Sequence, residues 1–271
     1  MDVIKYIVVG GLILLVGFYV RRYIVRRARR KRLLFEPIRP EWKAILEKNI
    51  PLYNRLPARL QMQLEGLVNL FIAEKRFEGC GGLEITDEIK VTIAGQACML
   101  LLNRKTRYFP KLLTIYVYPS TFVAREVARE GFSTGEPRQG ESWQNGPVVL
   151  AWNSVIGGAN NITNGRNVVF HEFSHQLDQE DGAADGAPIL ESRSCYATWA
   201  KVLGAEYAAL KTKARKYRKS VVHRYGATAP AEFFAVATEA FFEKARQMKK
   251  KHPDLYEELK NYYNLDPLQW S

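Results

Sequence analysis

The sequence has 271 residues, of which 47% are hydrophobic and 12% aromatic, and this composition supports a buried core and excludes general disorder. The formal net charge is +12, but eight arginine and lysine residues lie between Arg21 and Arg32. The rest of the chain is therefore only mildly basic, and no nucleic-acid partner is required. The cysteines Cys80, Cys98 and Cys195 show no CxxC spacing, which excludes a disulfide framework and a zinc knuckle and favours free thiols.

The N-terminus carries an apolar run, residues 3–20, that is interrupted only by Lys5. As a helix this run rises about 27 Å, just enough to cross the hydrocarbon core of a bilayer. The basic residues follow the run, which argues against a secretory signal peptide and predicts that the following residues stay in the cytoplasm. We therefore expect a transmembrane anchor with a polybasic flank in residues 1–34 and a cytoplasmic domain in residues 35–271, hence a single-pass membrane protein. An interfacial or buried helix is the remaining alternative.

The sequence that follows the N-terminal segment, up to residue 102, is mostly typical of helices. Residues 36–40 contain two prolines and predict a linker. Three segments then have the apolar spacing of helices; they are residues 42–50, 57–75 and 87–102. Thr86 is the expected N-cap of the third helix, which three glycines in residues 79–82 separate from the second.

Two segments rich in β-branched and aromatic residues, 112–118 and 146–152, predict strands. Residues 131–145 lack periodicity and predict a loop or an irregular hairpin. From Val168 onward the chain is expected to be mostly helical. The fold class is therefore α+β, mostly helical with a small mixed sheet.

The sequence His171-Glu172-Phe173-Ser174-His175 carries the strongest chemical signal. Its histidines are four residues apart, so on a helix the two imidazoles project from one face and can bind one ion. A catalytic zinc takes three protein ligands and leaves a position for water, whose proton Glu172 can accept. Asp178 shares this face and either orients an imidazole or balances the helix end. Two surface histidines without a metal are the alternative interpretation.

A third ligand must come from elsewhere, and the candidates are His223, His252, Glu232 and Glu239. Pro230 is expected to open a helix that carries both glutamates on one side, about 10 Å apart along its axis. Only one of these glutamates can therefore bind the ion. His252 follows three lysines and is expected to be exposed.

The sequence resembles the family of zinc peptidases typified by Mlc titration factor A. The resemblance is carried by residues 171–178, HEFSHQLD, and residues 225–236, YGATAPAEFFAV. Supporting segments are residues 116–119, 140–143, 146–152 and 266–269. The resemblance covers most of residues 40–270.

This resemblance implies a zincin-like fold, related to the catalytic domain of anthrax lethal factor, and one zinc ion per chain. It implies Glu232 as the third ligand, with Glu239 in a supporting role. The family's tyrosine seven residues before that glutamate corresponds to Tyr225, whose phenol can stabilise the oxyanion of an attacked peptide. A buried aromatic with a satisfied hydroxyl is the alternative for Tyr225. An edge strand, expected at residues 148–152, would pair with extended substrate.

The predicted function is a zinc-dependent metallopeptidase that hydrolyses a peptide or protein substrate. The predicted metal ligands are His171, His175 and Glu232, and the predicted catalytic residues are Glu172 and Tyr225. The typical family member is soluble, whereas this N-terminus predicts membrane attachment, so the family's repressor-binding role does not transfer directly. The alternative function is a membrane-tethered, zinc-containing binding protein that sequesters a cytoplasmic regulator.

Overall fold

A computed structural model of the chain describes residues 2–104, 107–123, 137–138, 140–142 and 146–270. The helices are α1 (Asp2–Phe35), α2 (Pro40–Asn49), α3 (Pro51–Arg55), α4 (Ala58–Glu74), α5 (Asp87–Met99), α6 (Trp152–Asn160), α7 (Val168–Asp178), α8 (Cys195–Arg215), α9 (Pro230–Glu243), α10 (Ala245–Lys251) and α11 (Pro253–Tyr263). The strands are β1 (Arg76–Gly79), β2 (Thr114–Tyr118), β3 (Phe122–Val123), β4 (Pro137–Arg138), β5 (Gly140–Ser142) and β6 (Val148–Ala151). The α+β class, mostly helical with a small sheet, is confirmed.

The predicted helices form close to their expected bounds. Pro40 is the first residue of α2, a position where its missing N–H removes no helical hydrogen bond. Thr86 caps α5, because its Oγ1 accepts a hydrogen bond from the backbone N–H of Ile89 at 3.3 Å. Helix α5 ends at Met99, and the buried residues 100–102 continue in turns instead of the expected helix.

The short elements that the sequence prediction missed include α3, β1 and α6. Helix α3 has five residues and strand β1 has four, too few for an apolar period to be visible. Helix α6 follows β6 directly. Trp152, expected at the end of the strand, is therefore the first residue of this helix.

The main sheet has the strand order β1-β2-β6-β5. Strands β1, β2 and β6 are parallel, and β5 is antiparallel to β6, so the sheet is mixed. All four residues of β6 are buried, as is typical of a strand covered on both faces. The prediction that residues 148–152 form an edge strand is wrong, because β6 lies between β2 and β5. Strand β5 is the edge strand on this side of the described sheet.

The predicted loop or irregular hairpin at residues 131–145 lies partly outside the described residues. Within its described residues, β4 pairs antiparallel with β3, and β5 pairs antiparallel with β6. Gly140 of β5 lies opposite Leu150 of β6. This register places β5 against α7, the helix that carries the two histidines.

Buried aromatic rings hold α7 from two sides. The Phe173 ring lies 5.7 Å from that of Phe71 in α4 and 5.0 Å from that of Phe109, measured between centroids. The Phe170 ring lies 5.1 Å from that of Phe242 in α9. Burial of each such ring contributes roughly 1.5–3 kcal/mol. The position of the histidine helix is therefore set by core packing.

The three cysteines are free. Cys98 is fully buried in α5, and burial raises the pKa of its thiol, which makes it a poor nucleophile. Cys195 is exposed at the start of α8. The expectation of free thiols without a disulfide framework is confirmed.

The prediction of a transmembrane anchor and a single-pass membrane protein is wrong. No helix in the described part of the chain is both long and apolar enough to cross a membrane. Arginine and lysine occupy much of the second half of α1.

The C-terminal end of α1 packs on α4. The Arg30 guanidinium binds both carboxylate oxygens of Glu74, at 2.8 and 2.7 Å. Gly66 of α4 lies directly against the backbone of Leu34, where a Cβ atom would not fit. The end of α1 is therefore docked on the body of the protein, and the division of the chain at residues 34 and 35 stays a prediction.

Candidate metal centre

The two histidines of the motif lie one turn apart on α7. Asn167 caps this helix, because its Oδ1 accepts a hydrogen bond from the N–H of Phe170 at 3.0 Å. The imidazole centroids of His171 and His175 are 5.0 Å apart. The predicted arrangement, with both rings on one face of a helix, is present.

Helix α9 brings a carboxylate to these imidazoles. Pro230 opens α9 as expected, so Glu232 lies in its first turn. Glu232 Oε2 is 2.9 Å from His171 Nε2 and 3.5 Å from His175 Nε2. One ligand atom from each of these three residues lies within 4.8 Å of the others. Of the four candidates for a third ligand, the structure places Glu232 at the histidine pair.

Glu239, two turns further along α9, holds His171 from the other side of the ring. Its Oε1 is 2.8 Å from His171 Nδ1, and its Oε2 accepts the backbone N–H of Asn167 at 2.5 Å. The carboxylate therefore joins the imidazole to the N-terminus of α7. A ligand histidine whose second nitrogen donates to a carboxylate is fixed in tautomer and orientation.

The electrostatics of the site favour positive charge. Burial lowers the pKa of His171, but hydrogen bonds to Glu232 and Glu239 outweigh it and raise this pKa well above 6.5. Burial tends to raise the pKa of Glu232, yet hydrogen bonds from His171 and His175 lower it from 4.5 to about 2. Carboxylates arranged around an imidazole stabilise a cation at this point.

The three donors are of the types that zinc binds, and the two distances from Glu232 Oε2 are close to the spacing of zinc ligands. Zinc bonds to imidazole nitrogen and carboxylate oxygen are about 2.0–2.2 Å long, so tetrahedral ligands lie about 3.3–3.6 Å apart. The distances of 2.9 and 3.5 Å from Glu232 Oε2 to the two imidazole nitrogens are close to this spacing. Among the described residues, His171, His175 and Glu232 form the group of histidine, cysteine and acidic residues whose ligand atoms are close enough together to hold one metal ion.

Glu172 is buried beside the two imidazoles, with 6% of its surface exposed. Strand β5 covers it. A Cβ atom on Gly140 would lie 2.6 Å from Glu172 Oε1 and 2.6 Å from Val168 Cγ2. Any residue other than glycine at this position would therefore clash with the Glu172 carboxylate. The sequence motif predicted Glu172 but gave no sign of Gly140.

Tyr225 lies in the 3₁₀ turn Arg224–Ala227 that precedes α9. Its ring centroid is 5.9 Å from that of His171, and 49% of its surface is exposed. The alternative of a buried aromatic is therefore excluded. His223 caps the turn, because its Nδ1 accepts the N–H of Tyr225 at 3.4 Å.

Two other candidate ligands lie outside the cluster. His223 Nε2 is 3.0 Å from Arg166 Nη2, and burial, together with this arginine, lowers the pKa of His223. The expectation that His252 is exposed is wrong: it is 5% exposed, and its Nδ1 lies 2.7 Å from Glu206 Oε2. His252 joins α10 to α11 and faces α8, so the lysines before it do not indicate its own environment.

Asp178 does not hydrogen-bond an imidazole. It is fully buried, and its Oδ2 accepts the backbone N–H of Gly186 at 3.0 Å. Burial raises the pKa of Asp178 to about 6. Sequence reasoning also missed Asn167, although an asparagine directly before the apolar residues of α7 is an N-cap signal.

Two histidines one turn apart, a buried glutamate between them and a carboxylate from a distant helix define a candidate metal centre of the hydrolytic type. The profile of the glucose-regulated metallo-peptidase M90 family matches residues 25–264, and the chain belongs to this family. This membership confirms the resemblance inferred from the sequence and implies a metal-dependent peptidase class.

Relatives cover most of the chain. An uncharacterized protein of Synechocystis sp. is 40% identical over 245 residues, 89% of either chain. Mlc titration factor A of Klebsiella pneumoniae is 30% identical over 227 residues, 81% of this chain and 84% of that protein. Mlc titration factor A of Salmonella agona is 29% identical over a segment of the same length.

Proposed function

We propose that this chain is a zinc-dependent peptidase that binds one zinc ion through His171, His175 and Glu232. The observation that carries the proposal is the meeting of these three donors from two helices within 4.8 Å of one another. Two imidazoles and one carboxylate are a common ligand set of catalytic zinc. Residues 35–271 form the proposed catalytic domain.

A bound zinc ion supplies Lewis acidity and lowers the pKa of a water molecule toward about 7. Glu172 is the proposed general base: it accepts a proton from the attacking water and passes it to the leaving amine. Its burial restricts the carboxylate to this site, and the close approach of Gly140 limits its movement. A base held in one place transfers protons efficiently because little reorganisation precedes each step.

Tyr225 is the proposed electrophilic helper. Its ring lies beside His171 and is half exposed, so its phenol can reach a substrate carbonyl. A hydrogen bond to the carbonyl oxygen stabilises the negative charge that develops there during attack. The cap from His223 to the N–H of Tyr225 supports the turn that carries this ring.

Strand β5 is the proposed binding edge for substrate backbone. In the described sheet it pairs with β6 on one side, and Gly140 places it beside Glu172. An extended peptide that added to this edge would gain main-chain hydrogen bonds with weak side-chain preference. The expected substrate is therefore an extended segment of a peptide or protein.

The test is to purify the full chain, measure its zinc content and assay cleavage of fluorogenic peptides. We expect Glu172→Gln to retain zinc and lose on the order of 100-fold or more in kcat, the usual contribution of a general base. Glu191→Gln changes an exposed glutamate and is the matched control with wild-type turnover. A wild-type chain that binds no metal refutes the proposal, and equal turnover by Glu172→Gln removes that residue from its role.

A second candidate function is the binding of a regulator, because relatives at about 30% identity are named Mlc titration factor A. Purified Mlc titrated into the wild-type and the Glu172→Gln protein separates the two functions. Stoichiometric binding by both proteins, without cleavage of Mlc by the wild type, would support titration. No binding at micromolar concentrations would restrict the chain to peptide hydrolysis.

A further inference from the structure

The loop between α7 and α8 is held tightly at Gly186. The N–H of Gly186 donates to Asp178 Oδ2 at 3.0 Å, and its carbonyl accepts a hydrogen bond from Trp199 Nε1 at 2.9 Å. Asp178 is the last residue of α7, and Trp199 lies in α8. Both backbone groups of this buried glycine are therefore fixed, one of them to the histidine helix.

Gly186 is also in direct contact with the start of α9. It has a φ angle of +80°, and a Cβ atom on it would lie 2.5 Å from the carbonyl oxygen of Pro230 and 3.3 Å from the backbone nitrogen of Ala231. Pro230 is the first residue of α9, and Glu232 follows in the same turn. Any movement of Pro230 therefore moves the carboxylate that faces the imidazoles.

Helices α7 and α9 are thus connected at both ends. Near the start of α7, Glu239 Oε2 accepts the N–H of Asn167 at 2.5 Å. At the end of α7, Asp178 connects through Gly186 to Pro230. The proposed ligands lie between these two attachments. Because each residue of a helix adds about 1.5 Å of rise, a slip by one residue would move Glu232 out of reach of the histidines.

We propose that Asp178 and Gly186 are positioning residues that set the place of Glu232 relative to His171 and His175. The inference rests on the proposed function insofar as these three side chains bind zinc. Gly186 acts through the absence of a side chain, and Asp178 acts by holding the N–H of Gly186. Neither residue touches the metal or the substrate.

The test compares Gly186→Ala with Gly182→Ala. Gly186 has a φ angle of +80° and Gly182 one of +107°, so alanine strains the backbone at either position. The two positions differ in their surroundings, because a Cβ atom at Gly186 would collide with Pro230, whereas nothing lies within 4 Å of a Cβ atom at Gly182. We measure zinc affinity by competition with a chromogenic chelator and the absorption spectrum of the cobalt-substituted protein. Gly186→Ala should weaken zinc binding by about tenfold or more and alter the cobalt spectrum, while Gly182→Ala should change neither.

Asp178 provides a second test that does not depend on the folding of Gly186→Ala. Asp178→Asn keeps an oxygen that can accept the N–H of Gly186 and should keep zinc affinity within about threefold of wild type, whereas Asp178→Ala should lose about tenfold or more. Equal zinc affinity in wild type, Gly186→Ala and Asp178→Ala would overturn the inference. So would an equal loss in Gly186→Ala and Gly182→Ala.

A third readout separates this inference from the proposed function. The imidazole N–H signal of His171, observed by NMR with zinc removed, reports the 2.9 Å contact with Glu232. It should weaken or shift in Gly186→Ala and stay unchanged in Gly182→Ala. A wild type that binds no zinc would refute the proposed function, while an unchanged signal in Gly186→Ala would refute the positioning role.

Discussion

Replacing Glu239 by glutamine changes one hydrogen-bonding atom and keeps the shape of the side chain. Glu239 offers two acceptor oxygens, one to His171 Nδ1 at 2.8 Å and one to the N–H of Asn167 at 2.5 Å. Glutamine offers one acceptor and one donor. If its oxygen faces Asn167, its amide faces Nδ1 and favours the tautomer with a proton on Nε2, the nitrogen that faces Glu232. If it is reversed, two donors face each other.

Either orientation removes one hydrogen bond to a charged group, which contributes about 1.5–3 kcal/mol. At about 1.4 kcal/mol per tenfold change in affinity, the zinc dissociation constant should rise about 10- to 100-fold. The assay is competition for zinc with a chromogenic chelator, accompanied by thermal unfolding to show that the protein is folded.

Glu243→Gln is the matched control, one turn further along the same helix. Glu243 Oε2 accepts the N–H of Arg166 at 3.1 Å, whereas its Oε1 is buried with no hydrogen-bond partner among the described residues. Glutamine can keep the first bond and should leave zinc affinity unchanged. The reasoning is refuted if Glu239→Gln binds zinc as tightly as wild type, or if both variants lose the same affinity.

Three further predictions concern other positions. Gly140→Ala should lower kcat by about tenfold or more at unchanged zinc content, because the added Cβ displaces Glu172. The control is Gly157→Ala, where a Cβ atom meets nothing within 4 Å. Equal kcat in the two variants would contradict the prediction. Burial and the charge of Glu239 raise the pKa of Glu243 from 4.5 to about 8, so its contribution to stability is present below pH 4.5 and lost as pH rises toward 8. At pH 8 the free energy of unfolding of Glu243→Gln should therefore exceed that of the wild type by about 2–5 kcal/mol, and this difference should vanish near pH 4.5. Denaturant unfolding at both pH values measures it, and a difference independent of pH would contradict the prediction. Asn167→Ala should lower the free energy of unfolding by about 1–2 kcal/mol, since it removes the cap of α7, and unchanged unfolding would show that the cap contributes nothing.

The histidine helix and the carboxylate helix could be predicted because their signals are local. The spacing of His171 and His175 fixes their common face, and Pro230 fixes the start of α9, which carries Glu232 and Glu239. The choice of Glu232 as the third ligand came from the family resemblance. Thr86 marked the start of α5 for the same reason. In each case a few neighbouring residues determine the backbone hydrogen bonds, so tertiary contacts do not override the pattern.

The sequence predictions failed where contacts between residues far apart in the chain determine the structure. The burial of His252 depends on Glu206 in another helix, and the central place of β6 depends on β5, whose residues carry no strand pattern. The roles of Gly140 and Gly186 come from the close approach of Glu172 and Pro230. The expected membrane span followed from composition, whereas the end of α1 is bound to α4 through Arg30 and Glu74. Sequence periodicity carries none of this information.

The order of the ligands along the chain affects synthesis of the protein. His171 and His175 emerge from the ribosome well before Glu232, because the third donor lies on α9, which follows α7 and α8 in the chain. At a translation rate of about 5–20 residues per second, the nascent chain carries the histidine pair for several seconds without its carboxylate partner. Hydrolytic activity of the proposed kind can therefore begin only after α9 has been made, which protects the growing chain and its neighbours from premature cleavage.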